Sequence, residues 1–366
     1  MKHRRGHRHL IFFLLKSIVL IFVVIIPGKE AFSQDRKSGK NFSVLPVPAI
    51  GYSPETKTYV GAVTLFTLRN PNDSLSRSSN AKLEFNYTWN KQVILESGWN
   101  YFSPEEKWFS RGLLHYSKYP DLYYGIGFNT PDDNEVSFQS NRVILETDIF
   151  RNLNHSRFLG AGISYKSYGN IKYLDEGLRY PELTGSSDFG MKIIFLKDAR
   201  NNILTPSDGN YFEFSNAFNF SDNFYSVITF DIRKYLEFGK NDNQVLAGRF
   251  YHSTVWGKPP FYEYAGIGGD KLVRGYYQGR YRDKNFSSLQ MEVRSKLFWR
   301  LGVAAFGGIS ALYENPGNIQ HESFKPNVGA GLRFLVDKSE NTNLRIDYAI
   351  GADNQSGFYI SFGESF

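Results

Sequence analysis

Leu289-Gln290-Met291-Glu292-Val293-Arg294-Ser295-Lys296-Leu297-Phe298-Trp299 alternates apolar and polar side chains along most of its length. Leu289, Met291, Val293, Leu297 and Trp299 fall on one side, and Gln290, Glu292, Arg294 and Lys296 on the other. A period of two is that of a β-strand, in which successive side chains point to opposite faces. Outward from this stretch the pattern recurs. Ala81 to Asn90 sets Ala81, Leu83, Phe85, Tyr87 and Trp89 against Lys82, Glu84, Asn86, Thr88 and Asn90. Asn327 to Val336 and Asn343 to Gly351 alternate in the same way, with Arg333, Arg345 and Asp347 on the polar faces. Strand candidates fall near residues 49–53, 58–68, 81–90, 92–101, 107–117, 136–150, 156–169, 187–198, 210–220, 226–238, 243–256, 286–299, 301–312, 326–336, 343–351 and 357–366.

Alternation alone also describes a soluble β-sandwich. The apolar faces here are long and often end in Trp, Tyr or Phe, as in the aromatic girdles of an outer-membrane barrel. The 366 residues include 5 Trp, 24 Tyr and 32 Phe and no Cys. A mean hydropathy of −0.39, with no apolar run of about 18 residues after residue 26, excludes a bundle of membrane helices. So many aromatic residues exclude a disordered chain, and the lack of Cys excludes a disulfide scaffold or a Cys-ligated zinc site. The expected fold is therefore an all-β, 16-stranded antiparallel transmembrane β-barrel, the even strand number suiting a bacterial single-chain barrel. A secreted sandwich is the alternative. Segments 118–135, 170–186 and 257–285 read as long loops.

Residues 1–9 carry Lys2, Arg4, Arg5 and Arg8, and apolar residues dominate 10–26 before Pro27, Gly28, Ala31 and Ser33. This is the layout of a secretory signal peptide over 1–33, with cleavage expected near Ser33/Gln34; an uncleaved anchor is the alternative. A short periplasmic lead-in over 34–48 and a barrel over 49–366 complete the expected organisation. Pro46 and Pro48 are expected just before the first strand, since proline cannot donate to a ladder. They suggest either short first-to-last pairing or simply an entry segment. The chain has 43 Lys and Arg against 36 Asp and Glu, a net charge of +7. Residues 1–33 hold six of the bases and one acid, which leaves 37 bases against 35 acids, or +2. The basicity belongs largely to the export segment, and no nucleic-acid partner is expected.

No HExxH, GxSxG or GxxxxGK motif is present, so neither an enzyme, a cofactor nor a metal is expected. Gly266, Gly268 and Gly269 superficially match a dinucleotide loop, but no helix pattern follows them. His115, His155, His252 and His321 are dispersed. The run Asp132-Asp133-Asn134-Glu135 has the oxygen ligands a calcium ion takes, though a solvated loop tip explains it as well.

Three further motifs occur in order. They are Val273-Arg274-Gly275-Tyr276 inside the longest loop, Asp198-Ala199-Arg200-Asn201-Asn202 followed by Pro206, Gly209 and Tyr211, and the terminal Gly357-Phe358-Tyr359-Ile360-Ser361-Phe362-Gly363-Glu364-Ser365-Phe366. Together they resemble the superfamily of BamA/TamA-like outer-membrane assembly barrels, also called the bacterial surface antigen family. The likeness is to its short, barrel-only branch without periplasmic POTRA domains. The resemblance implies an outer-membrane location in a Gram-negative bacterium and a sixth extracellular loop folded into the lumen. It also implies that Arg274 is pinned to the inner wall, with Glu292 as its partner, and that Phe358, Ile360, Phe362 and Phe366 form the terminal-strand signal. A solvated loop cation is the alternative for Arg274. Where the family often carries a wall Asp, this chain has Gly308, and Ser310 stands in the following Gly place, so a second carboxylate at Arg274 is in question. The implied function is insertion or translocation of proteins at the outer membrane, with membrane lipids and either nascent outer-membrane proteins or accessory assembly proteins as partners. A passive pore or solute channel, or a surface-exposed structural antigen, is the competing reading.

Overall fold

The computed structural model describes residues 42–53, 57–69, 76–89, 91–154, 156–239, 243–338 and 341–366. The expected signal peptide, the start of the lead-in and His155 lie outside the described residues. Sixteen strands form one antiparallel sheet, each paired with its neighbours in chain order. They are β1 (Phe42–Ser53), β2 (Lys57–Leu68), β3 (Ser79–Thr88), β4 (Val93–Phe102), β5 (Trp108–Tyr123), β6 (Val136–Asn154), β7 (Arg157–Tyr173) and β8 (Ser186–Asp198). The second half comprises β9 (Gly209–Phe220), β10 (Phe224–Phe238), β11 (Gln244–Gly257), β12 (Asn285–Phe298), β13 (Leu301–Tyr313), β14 (Phe324–Asp337), β15 (Thr342–Gly351) and β16 (Ser356–Phe362). The sequence pattern anticipates this strand count and order.

Alternation assigns the two faces. In β7, Leu159, Ile163 and Tyr165 are exposed on the outer face, while Phe158, Ser164 and the glycines 160 and 162 face inward. Large apolar side chains stay exposed on the outer face of nearly every strand, which suits lipid as the surrounding solvent. Trp89 and Trp256 mark one rim and Trp108 and Trp299 the other, placing amphipathic rings at both interfaces. The end with the longer connections, including residues 258–284, is taken as extracellular.

Several boundaries differ from the sequence reading. β1 begins at Phe42 rather than 49, so residues 42–48, expected in the lead-in, belong to the barrel. Pro46 and Pro48 lie inside β1, opposite Thr64 and Ala62. Two residues apart on an antiparallel strand, their nitrogens fall on the same edge, and pairing with β2 runs unbroken over all positions from Phe42 to Ser53. β5 and β7 extend to Tyr123 and Tyr173, into segments read as loops. Pro120 and Asp121 interrupt the apolar pattern of β5, yet the register with β6 continues through Pro120↔Gln139 to Tyr123↔Val136. β16 ends at Phe362 instead of 366, because Gly363 turns the chain at φ +74°.

β1 and β16 come alongside one another. Among the described residues no backbone ladder joins them. Near this seam Tyr59 Oη of β2 donates to the Ile360 carbonyl of β16 at 3.5 Å.

Candidate functional site

A 16-stranded barrel is too wide for its wall side chains to fill, so its interior is either a water channel or occupied by inserted chain. Here the β11–β12 connection enters it. A two-residue ribbon, Ala265–Gly266 paired with Arg282–Asp283, starts the inward fold. Val273, Arg274 and Tyr276 are all buried. Gly275 adopts φ +103°, a conformation that favours glycine. A Cβ there would lie 2.9 Å from the Ile350 carbonyl carbon, so only glycine lets the loop backbone touch the wall. The Gly275 amide donates to Tyr359 Oη at 2.9 Å. Tyr276 Oη donates to the Pro326 carbonyl at 2.5 Å and accepts from the Ala352 amide at 2.7 Å.

Arg274 donates to Glu292 Oε2 on β12 and to Asp347 Oδ2 on β15. Its guanidinium carbon lies 3.3 Å from the Phe306 ring centroid, a cation–π contact. The Asn327 side chain donates through Nδ2 to the Arg274 carbonyl at 3.0 Å. Neither carboxylate serves Arg274 alone. Glu292 Oε1 accepts from Arg294 at 2.7 Å and Arg333 at 3.2 Å. Asp347 accepts from Arg333 at 2.5 Å and Arg345 at 3.0 Å. Arg333 reaches on to Glu364 at 2.8 Å, and Arg345 to Asp270 at 3.1 Å. Four arginines and four carboxylates thus form one largely buried network. Burying a charge in a low-dielectric interior is costly unless it is paired, and each member here has at least one opposite charge.

The sequence singles out Arg274 and Glu292 but leaves the second carboxylate open. Gly308, standing where the family's wall Asp would be, has no room for any side chain: a Cβ would lie 2.3 Å from Gln290 Nε2 and 2.4 Å from the Leu289 carbonyl oxygen. Gln290 occupies that space, donating to Asn327 at 3.0 Å and Ser288 at 3.1 Å. The second acid comes instead from Asp347, two strands further on. Ser310 donates to Ser288 at 3.0 Å.

The second motif builds a turn on the periplasmic side, residues 199–208. Asp198 accepts from Arg200 at 2.8 Å and from Arg77 at 3.0 Å. Asn201 and Asn202 side chains accept from Ser207, Asp208, Leu204 and Thr205 amides and so fix the turn. The turn reaches the interior, where the Pro206 carbonyl accepts from Arg294 at 2.9 Å. From the third motif, Phe358, Ile360 and Phe362 lie half-buried on β16. Phe366, expected on the same strand face, is instead buried inside against Tyr235 and Ala247. Its carbonyl accepts from Arg294 at 2.8 Å. Removing an aromatic ring from water and pairing its backbone with a buried arginine together favour the inward turn after Gly363.

Arg280 belongs to no motif in the sequence. It is buried between the rings of Tyr124 and Tyr281, 4.2 and 4.3 Å from their centroids. It donates to Thr130 and to Asp132, at 2.6 Å for the latter. The acidic run 132–135 is therefore engaged: Asp132 holds Arg280, and Glu135 accepts from Tyr124 Oη at 2.7 Å. Among the described residues no group of three or more His, Asp or Glu is arranged to hold a metal. His115 pairs with Glu96 at 3.1 Å and His252 with Ser287 at 2.8 Å. Gly268 lies in the inserted loop at φ +112°.

The description "Omp85 superfamily domain" matches residues 74–366. The chain belongs to the Omp85 superfamily. That family comprises outer-membrane β-barrels of Gram-negative bacteria that act in protein insertion and transport rather than as enzymes. The fold is similar to that of BamA from Haemophilus ducreyi lacking POTRA domains 1–3, with a TM-score of 0.57 at 12% identity, covering 88% of this chain and 70% of that one. It is equally similar to CdiB from Acinetobacter baumannii, with a TM-score of 0.57 at 13% identity, covering 88% of this chain but only 60% of CdiB. No curated protein matches the sequence. At such identities the likeness concerns the fold alone.

Proposed function

We propose that this Omp85 barrel assists the insertion or translocation of other proteins at the outer membrane. The observation that carries the reading is the seam: β1 and β16 lie side by side without a backbone ladder among the described residues, and β16 has only seven residues. Strand edges not joined in a ladder are templates for a further strand, and an incoming barrel segment has the backbone groups to use them. The Arg274 network supports the same reading, because it fixes the inserted loop against β12 and β15 and leaves the seam as the weak part of the wall. Free energy would come from folding of the client and from the bilayer beside the seam.

On this reading residues 1–33 are an export signal removed near Ser33/Gln34. The partners are outer-membrane lipids and nascent outer-membrane proteins, with accessory assembly proteins where the cell provides them. A wide passive pore is disfavoured by the occupied interior. The test is reconstitution: urea-unfolded outer-membrane barrels are added to liposomes with and without the purified protein, and their folding is followed by heat-modifiable gel migration. Faster folding in the protein-containing liposomes is expected. Equal rates for several unrelated clients would overturn the insertion reading.

A further inference from the structure

We propose that the barrel has a second closure, at the periplasmic mouth, formed by an inward-facing aromatic layer built from wall residues rather than from the inserted loop. Phe102, Phe109, Phe150 and Phe158 come from the periplasmic ends of β4 to β7 and are all buried, together with Ile194, Leu196 and Tyr211 of β8 and β9. Alternation shows that these side chains point into the barrel. Trp108, Ile149 and Leu159, their chain neighbours, are exposed on the outer face. The rings stack, Phe102 on Phe109 at 4.6 Å and Phe109 on Phe150 at 5.0 Å, and Phe158 meets Phe109 edge-on at 6.0 Å. Gly160 makes room for this packing, since a Cβ there would lie 2.4 Å from the Phe150 ring.

Connections on the periplasmic side complete the layer. Ile203, from the turn at 199–208, packs against it. Arg77 lies over the Phe102 ring at 4.4 Å while pairing with Glu106 and Asp198. The rest of the mouth is crossed by residues 363–366, with Phe366 against Tyr235 and Ala247.

Above the layer the wall changes character. Arg111, Asp148, Glu213, Lys192 and Glu146 form ion pairs that retain access to solvent, with Glu146 29% and Arg111 27% exposed. Further out, Tyr123, Phe138 and Leu183 pack with Phe261 of the inserted loop. This half of the interior is thus a hydrated, charged chamber between two apolar layers. An apolar constriction blocks ions by excluding water even where it is not filled by atoms. The two layers act in series, so freeing the inserted loop leaves the lumen shut.

Conductance across planar bilayers, measured on the purified full-length protein, tests this. Arg274→Ala with Arg280→Ala frees the loop. Ile203→Asp brings a charge to the aromatic layer from a turn outside the wall, and a charge there requires water. Phe158→Ser is a second variant that opens the layer from the wall itself. Heat-modifiable migration selects folded protein, and protease cleavage within 258–284 reports that the loop is free. The wild type, the loop variant and either layer variant should be electrically silent, and loop and layer substitutions combined should produce conductance steps. Conductance from the loop variant or from a layer variant alone would overturn the series arrangement. Silence of both folded, loop-free combinations would show that the aromatic layer is not a gate.

Discussion

Arg274 bonds two carboxylates on strands that are not neighbours, so it ties the loop to β12 and to β15 at once. Its planar fork suits that task better than a point charge. Arg274→Ala leaves Glu292 and Asp347 short of a partner inside the wall, and a buried pair broken from one side costs about 3–5 kcal/mol. The expected outcome for Arg274→Ala, and for Glu292→Ala, is loss of heat-modifiable migration at a lower temperature than wild type; unchanged migration in both would contradict the pairing. Lys271, in the same loop, lies within the barrel beside Asp270 with its side chain still open to lumen water, and partial loss of hydration together with the nearby Arg345 cation brings its pKa down to about 8. With the loop released, that ammonium titrates near its ordinary 10.5, so the released state holds more protons between about 8 and 10.5. Docking therefore strengthens as pH rises through that window and is weakest below it. Protease cleavage within residues 258–284 should be slower at pH 9.5 than at pH 7, and Lys271→Met should abolish the difference. Equal pH dependence in the two proteins would contradict this assignment.

At the scale of elements, alternation made the strands legible because lipid outside and water or charge inside impose opposite demands on successive residues. Boundaries were legible only where the local pattern and the pairing agree. The prolines of β1 look like a strand boundary and Pro120 breaks the pattern of β5, yet in both the partner strand continues the pairing. Phe366 departs from its pattern for a different reason. An aromatic residue in phase with Phe358, Ile360 and Phe362 reads as lipid-facing, and the turn at Gly363 is a single backbone choice that periodicity does not register. Asp347 was visible as a polar-face residue, but which of many inward acids meets Arg274 depends on register across the barrel. Residues 363–366 bear structural weight in consequence. Glu364 accepts from Arg333 at 2.8 Å and from Asn343 at 2.9 Å, and the Glu364 carbonyl accepts from Lys271. Glu364→Gln keeps the shape and removes the charge that Arg333 faces. It should lower the temperature of heat-modifiable migration, while Glu105→Gln, on an exposed turn, should leave it unchanged. A Glu364→Gln protein as heat-resistant as wild type would remove these residues from the network.

For the whole molecule, sixteen strands enclose more space than their side chains fill. The inserted loop, the turn at 199–208 and residues 363–366 all enter that space. The turn and residues 363–366 meet at Arg294, which donates to the Pro206 and Phe366 carbonyls and is linked through Glu292 to Arg274 of the inserted loop. Ser365 also donates to the Asp270 carbonyl at 2.9 Å. A wall braced from within in this way, with its first and last strands unjoined by a ladder among the described residues, concentrates weakness at one seam. That is the property an insertion or translocation barrel needs and a solute pore does not. The most direct test is depletion of the protein from living cells followed by quantitative outer-membrane proteomics. This account predicts that several unrelated barrel proteins decline together. An unchanged complement of barrels, with uptake of one solute altered, would contradict it.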